Sequence, residues 1–198
     1  MNYMENQVGT SRVAILFLTG LLGGCLGAAR AIILISSQIL GLHIPFRTMI
    51  LDSMTFSAIC LTALGFFALH RGLNSTFGYR SFQAGLLTSG CYLCYILQNC
   101  YDGRTDYIWP TILGETLANS LSVIELLLVF STSLFLMLCG LTLVRFGYDY
   151  SFGSELSWTG IFFILASFGI FTPLEYIFLL FPFMFSSYVF YSLAKWVD

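Results

Sequence analysis

Long apolar runs separated by short polar segments set the first constraint on this chain. Crossing the ~30 Å hydrocarbon core of a bilayer takes about 20 helical residues. Runs of that order fall at 13–37, 49–69, 82–100, 117–144, 156–172 and 175–194, which predicts an all-α polytopic membrane protein of about six segments in one domain, 1–198. The fifth run is short and reaches the sixth through Thr172-Pro173-Leu174-Glu175. A tight hairpin fits that break, and so does one long, tilted and kinked helix.

The polar segments orient the chain. With the N-terminus inside, Arg12, Arg71, Arg80, Arg145 and Lys195 fall on one side, and Arg47 and Arg104 on the other. Positive-inside counting therefore favours both termini inside. Tyr107, Trp109, Trp158 and Trp196 lie near segment ends, where amphipathic rings favour the headgroup level. Asn74-Ser75-Thr76 matches the glycosylation sequon, but this orientation puts it on the non-translocated side, so it is taken as a chance match.

Composition agrees and narrows the function. Residues are 58% hydrophobic and 9% charged, against roughly 25% charged in soluble domains. With one lysine and a net charge of -2 there is no basic stripe, which excludes nucleic acid as a partner. Lipids and other membrane subunits are the expected neighbours. Met1–Ser11 has neither a secretory signal nor an Arg/Ser-rich transit pattern. That points to a protein that starts in its own membrane, mitochondrial inner or bacterial plasma, or one already processed.

Few side chains offer chemistry. Gly20, Gly23, Gly24 and Gly27 make a small-residue face on the first segment, an interface for a helix of this chain or of another subunit. Arg30 follows, and an intramembrane arginine costs at least ~2.5 kcal/mol unless it meets a carboxylate, a cavity or a headgroup. Asp52, Glu115, Glu125 and Glu175 are the candidate partners, in a structural pair or a functional one. Glu125 and Glu175 also suit proton exchange, because dehydration favours the protonated carboxyl; a paired structural carboxylate is the other reading. Cys25, Cys60, Cys91, Cys94 and Cys139 sit in apolar runs, and the Cys91-Tyr-Leu-Cys94 spacing is read as packing. His43 and His70 both fall at segment ends, too far apart to ligate heme in the bis-histidine manner or to cluster for zinc. No cofactor, metal or catalytic residue of its own is expected, and no phosphate-binding loop, GxSxG or HExxH motif is present.

Several pieces together resemble one family. Gln38-Ile39-Leu40-Gly41-Leu42-His43-Ile44-Pro45-Phe46 looks like the Asn-Leu-x-Gly-Leu-x-Pro-Tyr signature of ATP synthase subunit a, the proton-channel subunit of the F-type rotary motor. Ser53 to Ser57, then His70-Arg71-Gly72-Leu73 with Phe77, and Pro110 with Glu115-Thr116-Leu117, follow in the family's order. Leu143-Val144-Arg145 with Asp149, Gly153 and Glu155-Leu156 resembles the essential arginine and its followers, and Ser187-Tyr188-Val189-Phe190 with Leu193 resembles the closing block. The chain departs from the pattern at Ser186, where the family has glutamine, at Asp149 in place of asparagine, at an inserted Ser154, and in an extra segment at 82–100.

The resemblance implies a proton-translocating subunit in ATP synthesis, partnered by a ring of carboxylate-bearing hairpins. Arg145 would be the fixed charge, with Glu155, Glu125, Glu175 and Asp149 along the proton pathway. A non-catalytic scaffold subunit of a respiratory or transport complex is the alternative. Shorter fragments match elsewhere: Ile124-Glu125 and Thr172-Pro173-Leu174-Glu175 resemble the twin-arginine translocase C subunit, and Asn99 to Asp102 with Asp106 resembles an aspartate-rich prenyltransferase motif.

Overall fold

The computed structural model describes residues 2–40, 47–101, 123–149, 154–172 and 175–197. These residues form six α-helices: α1 Asn2–Leu40, α2 Arg47–Leu73, α3 Thr76–Tyr101, α4 Val123–Asp149, α5 Ser154–Gly169 and α6 Glu175–Val197. Four stretches are long and apolar enough to cross a membrane: Arg12–Ser37, Ile50–Leu73, Ile124–Tyr148 and Tyr176–Trp196. The segments expected at 82–100 and 156–172 differ from these. Helix α3 opens on the polar residues Tyr79, Arg80 and Gln83, and α5 has only 16 helical residues, about 24 Å at 1.5 Å per residue. The break after α5 separates two helices that pack on one another.

Each helix packs on its neighbours in sequence, and α6 returns to α1. The result is a closed cycle of alternating direction. It follows that Arg12, Arg71, Arg80, Arg145 and Lys195 all lie at the end that carries both termini. The turn between α2 and α3 shows how short the connections can be. Asn74 takes a left-handed conformation at φ 52, which asparagine tolerates better than most residues. Ser75 then caps α3, its hydroxyl accepting from Gly78 N–H at 3.0 Å. The cap starts α3 at Thr76, six residues before the apolar run.

Lipid gives apolar helices no hydrophobic reason to associate, so close packing and interhelical hydrogen bonds hold the cycle. Between α4 and α5 the backbones touch: a Cβ on Gly140 would stand 2.6 Å from the Gly160 carbonyl oxygen. Between α1 and α2, a Cβ on Gly20 would stand 2.7 Å from Gly65 Cα. Hydroxyls supply the cross-links. Ser81 and Thr142 share a hydrogen bond at 2.8 Å, Thr88 Oγ1 donates to Ser131 O at 2.9 Å, and Ser133 Oγ donates to Ser167 O at 2.9 Å.

Phenylalanines fill the middle of the half nearer the termini. Phe17, Phe66, Phe163 and Phe190, from four helices, are fully buried. Phe66 stands edge-on to Phe163 at 6.3 Å and to Phe190 at 5.5 Å, the arrangement the ring quadrupole favours. This half is a solid plug.

Candidate functional site: a recess at Arg30

The other half of the bundle holds a small recess, with about 30 Å³ of internal space, lined by α1, α2, α3, α4 and α6 and by Ile170 just past the end of α5. Arg30, Thr55, Tyr92, Thr132 and Phe183 represent these five helices in turn. The remaining lining is apolar, including Ala58, Ile59, Leu136 and Leu179. Phe183 lies 6.2 Å from Phe163 of the plug and forms the floor.

Among the described residues, Arg30 is the only charged one in this lining. It lies seven residues before Ser37, the end of the apolar stretch in α1, or about 10 Å inside at helical rise. Its Nε is buried and has no hydrogen-bond partner among the described residues. A guanidinium does not deprotonate in a protein, and an unsatisfied buried donor costs about 1–3 kcal/mol. Asp52, at the start of α2, is within electrostatic reach of Arg30. Thr55 and Thr132 donate their hydroxyl protons to Leu51 O and Leu128 O of their own helices, at 2.8 Å and 2.7 Å. Both hydroxyls therefore turn acceptor lone pairs to the recess, and Arg30 is left as its fixed cationic donor.

The glycine face of α1 places this arginine. A Cβ on Gly23 would meet Thr62 and Ala58 of α2, and one on Gly27 would meet the Phe183 ring of α6. On Gly24 it would meet Ser187 and Ser186 of α6. Ser186 is itself fully buried, with its hydroxyl donating to Phe183 O at 2.9 Å. Helix α1 is thus seated between α2 and α6 with no slack, and Arg30 follows one turn further along.

The other residues singled out from sequence are split between the two ends. Arg145, near the end of α4, is exposed, with its guanidinium carbon 4.9 Å from the Phe77 ring centroid. Glu155 is exposed in the first turn of α5 at the same end, and Asp149 closes α4 there. Glu125, in the first turn of α4, and Glu175, the first residue of α6, lie at the opposite end. The side chains of Asp149 and Glu175, and all of Glu115, His43 and residues 41–46, lie outside the described residues. Twenty residues of helix separate Glu125 from Arg145, about 30 Å. Cys91 and Cys94 stand on α3 as free thiols, Cys94 exposed and Cys91 half-buried.

Sequence reasoning missed the recess, whose lining comes from six separate segments, and also the joint approach of Arg80 and Arg145 to Phe77. Only the Phe77-x-x-Arg80 spacing, which puts both on one helix face, hinted at the latter. No family model matches the sequence, and no curated protein or solved structure gives a significant match.

Proposed function

We propose that this chain is an integral membrane carrier whose recess at Arg30 takes the head of an amphiphilic organic anion, such as a medium-chain carboxylate. The observation that carries the reading is that Arg30, with its Nε buried, is the one charged residue among the described lining of a largely apolar recess. An apolar site with few placed polar groups selects an apolar ligand body and fixes its polar end. A carboxylate head accepts from Arg30 in a charge-assisted pair, and the hydrocarbon, too large for a space of about 30 Å³, lies against Ile59, Leu136 and Leu179 once the recess widens around it. A recess open at one end and plugged by phenylalanines at the other fits one state of an alternating-access carrier.

All six helices are proposed to lie in the bilayer, because α3 and α5 run between the same two ends as the four longer apolar stretches. Slight local thinning accommodates the short α5. The five basic residues at the end with the termini orient that end inward, and the recess opens outward.

The test is equilibrium binding of radiolabelled octanoate to the purified protein, wild type against Arg30→Gln. A lost charge-assisted hydrogen bond of about 1.5–3 kcal/mol lowers affinity by at least tenfold. Equal binding by both proteins, or none by either, removes the carrier reading and leaves a non-catalytic scaffold subunit.

A second reading, the proton path of a rotary motor, draws on the exposed position of Arg145 on the outer surface, where a neighbouring ring could meet it, and on Glu125 and Glu155 at opposite ends. Arginine suits a fixed charge because it does not titrate. Full ATP-driven proton pumping by an Arg145→Ala complex would dismiss it.

A further inference from the structure

We propose that Arg80 and Arg145, both set over the Phe77 ring where α3 meets α4, hold the phosphate of an anionic phospholipid headgroup at the end of the bundle that carries both termini. The guanidinium carbons of Arg80 and Arg145 lie 5.7 Å and 4.9 Å from the centroid of the same Phe77 ring. One comes from α3 and the other from α4, and both side chains are exposed. Two like charges brought onto one ring repel each other, and a shared anion relieves that repulsion. The Ser81–Thr142 hydrogen bond, one residue from Arg80 and three from Arg145, ties the two helices together beside them at 2.8 Å. A guanidinium has five N–H donors, so a ring contact and a neighbour on its own chain still leave donors for phosphate oxygens.

The surface below the arginines argues for a lipid over free phosphate. Leu134, Met137, Leu141, Arg145 and Tyr148 are exposed at spacings of three and four along α4, so they share one face. An acyl chain can run down Leu141, Met137 and Leu134 from a headgroup held at Arg145, with Tyr148 at headgroup level. Among the described side chains, Glu155 is the one carboxylate at this end, set against Arg12, Arg71, Arg80, Arg145 and Lys195. Anionic lipid headgroups are drawn to such clusters, by about fivefold in affinity per basic residue near the surface. The site is independent of what the recess at Arg30 binds.

The test is native mass spectrometry of the protein released from mixed phosphatidylglycerol and phosphatidylcholine nanodiscs. Wild type, Arg80→Gln, Arg145→Gln, the double variant and Arg71→Gln are compared. Arg71, which covers the Phe67 ring of α2 at 5.6 Å, is an equally exposed cation outside this pair. A shared phosphate predicts that either variant of the pair lowers phosphatidylglycerol retention by about fivefold or more, that the double variant adds little, and that Arg71→Gln retains lipid as wild type does. Inorganic phosphate should fail to displace the lipid. Additive losses of similar size for all three arginines would overturn the proposal in favour of an undirected belt of charge. So would displacement by inorganic phosphate, which would mean that the acyl chain contributes nothing. Circular dichroism melts on each variant confirm that retention is compared between folded proteins.

Discussion

Replacing Gly140 by alanine puts a methyl group where two helix backbones meet. The added carbon would stand 2.6 Å from the Gly160 carbonyl oxygen and 2.9 Å from the Ile164 amide nitrogen, whereas ordinary contact begins near 3.4 Å. Both obstacles are backbone, so no rotamer change relieves them. Helix α5 must retreat by the better part of an ångström, loosening its contact with α4 and straining the Ser133–Ser167 bond one to two turns away. Overpacking of this kind costs about 1–3 kcal/mol. Alanine returns up to about 1 kcal/mol through its better helix propensity, so the net loss lies between about 0 and 3 kcal/mol. Gly90 is the internal control. It lies on the exposed face of α3 with nothing within 4 Å of the added carbon, and Gly90→Ala should leave stability unchanged or raise it by up to about 1 kcal/mol. Steric trapping in bicelles measures both differences on one scale. If Gly140→Ala proves as stable as Gly90→Ala, the backbones of α4 and α5 are not in contact.

Further expectations concern single bonds and thiols. A double-mutant cycle on Ser81→Ala and Thr142→Ala should give a coupling of about 0.6 kcal/mol, the usual size for hydrogen bonds between membrane helices; zero coupling would mean that the Ser81–Thr142 bond is not made. In detergent, the membrane-permeant N-ethylmaleimide should label the exposed Cys94 quickly and the fully buried Cys139 only after unfolding. Equal labelling rates in the native protein would contradict the position of Cys139 in the core. Thr62→Val should be neutral or stabilising, since the Thr62 hydroxyl is buried without a hydrogen-bond partner and its removal takes away an unmet desolvation cost of about 1 kcal/mol or more. A loss above about 1 kcal/mol would mean that the hydroxyl is satisfied in the membrane.

The helices were legible in the sequence because period and length are local properties. The runs at 13–37, 49–69 and 175–194 each fall within a single helix, and the Gly20 to Gly27 face announced that α1 would be approached closely. Helix starts were less legible: the run at 82–100 lies within α3, but α3 begins at Thr76 because Ser75 caps it, and its polar first turns hid that start from a reading based on hydropathy. Arg30 stood out through its charge alone. What surrounds it was hidden, since the recess depends on Thr55, Tyr92, Thr132 and Phe183 converging from four other helices, with Ile170 from the turn after α5, and no local pattern encodes such convergence. Arg145 shows the reverse difficulty. Its neighbours in sequence resemble a proton-channel motif, while its ring contact, Phe77, comes from another helix.

The most direct test asks from which side the recess opens and whether an anion fills it. Thr55→Cys and Thr132→Cys, each in a background lacking the native cysteines, are exposed in oriented vesicles to a membrane-impermeant thiosulfonate from one side at a time, with and without octanoate. A recess that opens away from the termini and is anchored by Arg30 predicts modification only from the side opposite the termini, slowed by octanoate when Arg30 is present and not when it is glutamine. Modification from the side of the termini, or rates indifferent to octanoate with Arg30 intact, would contradict it.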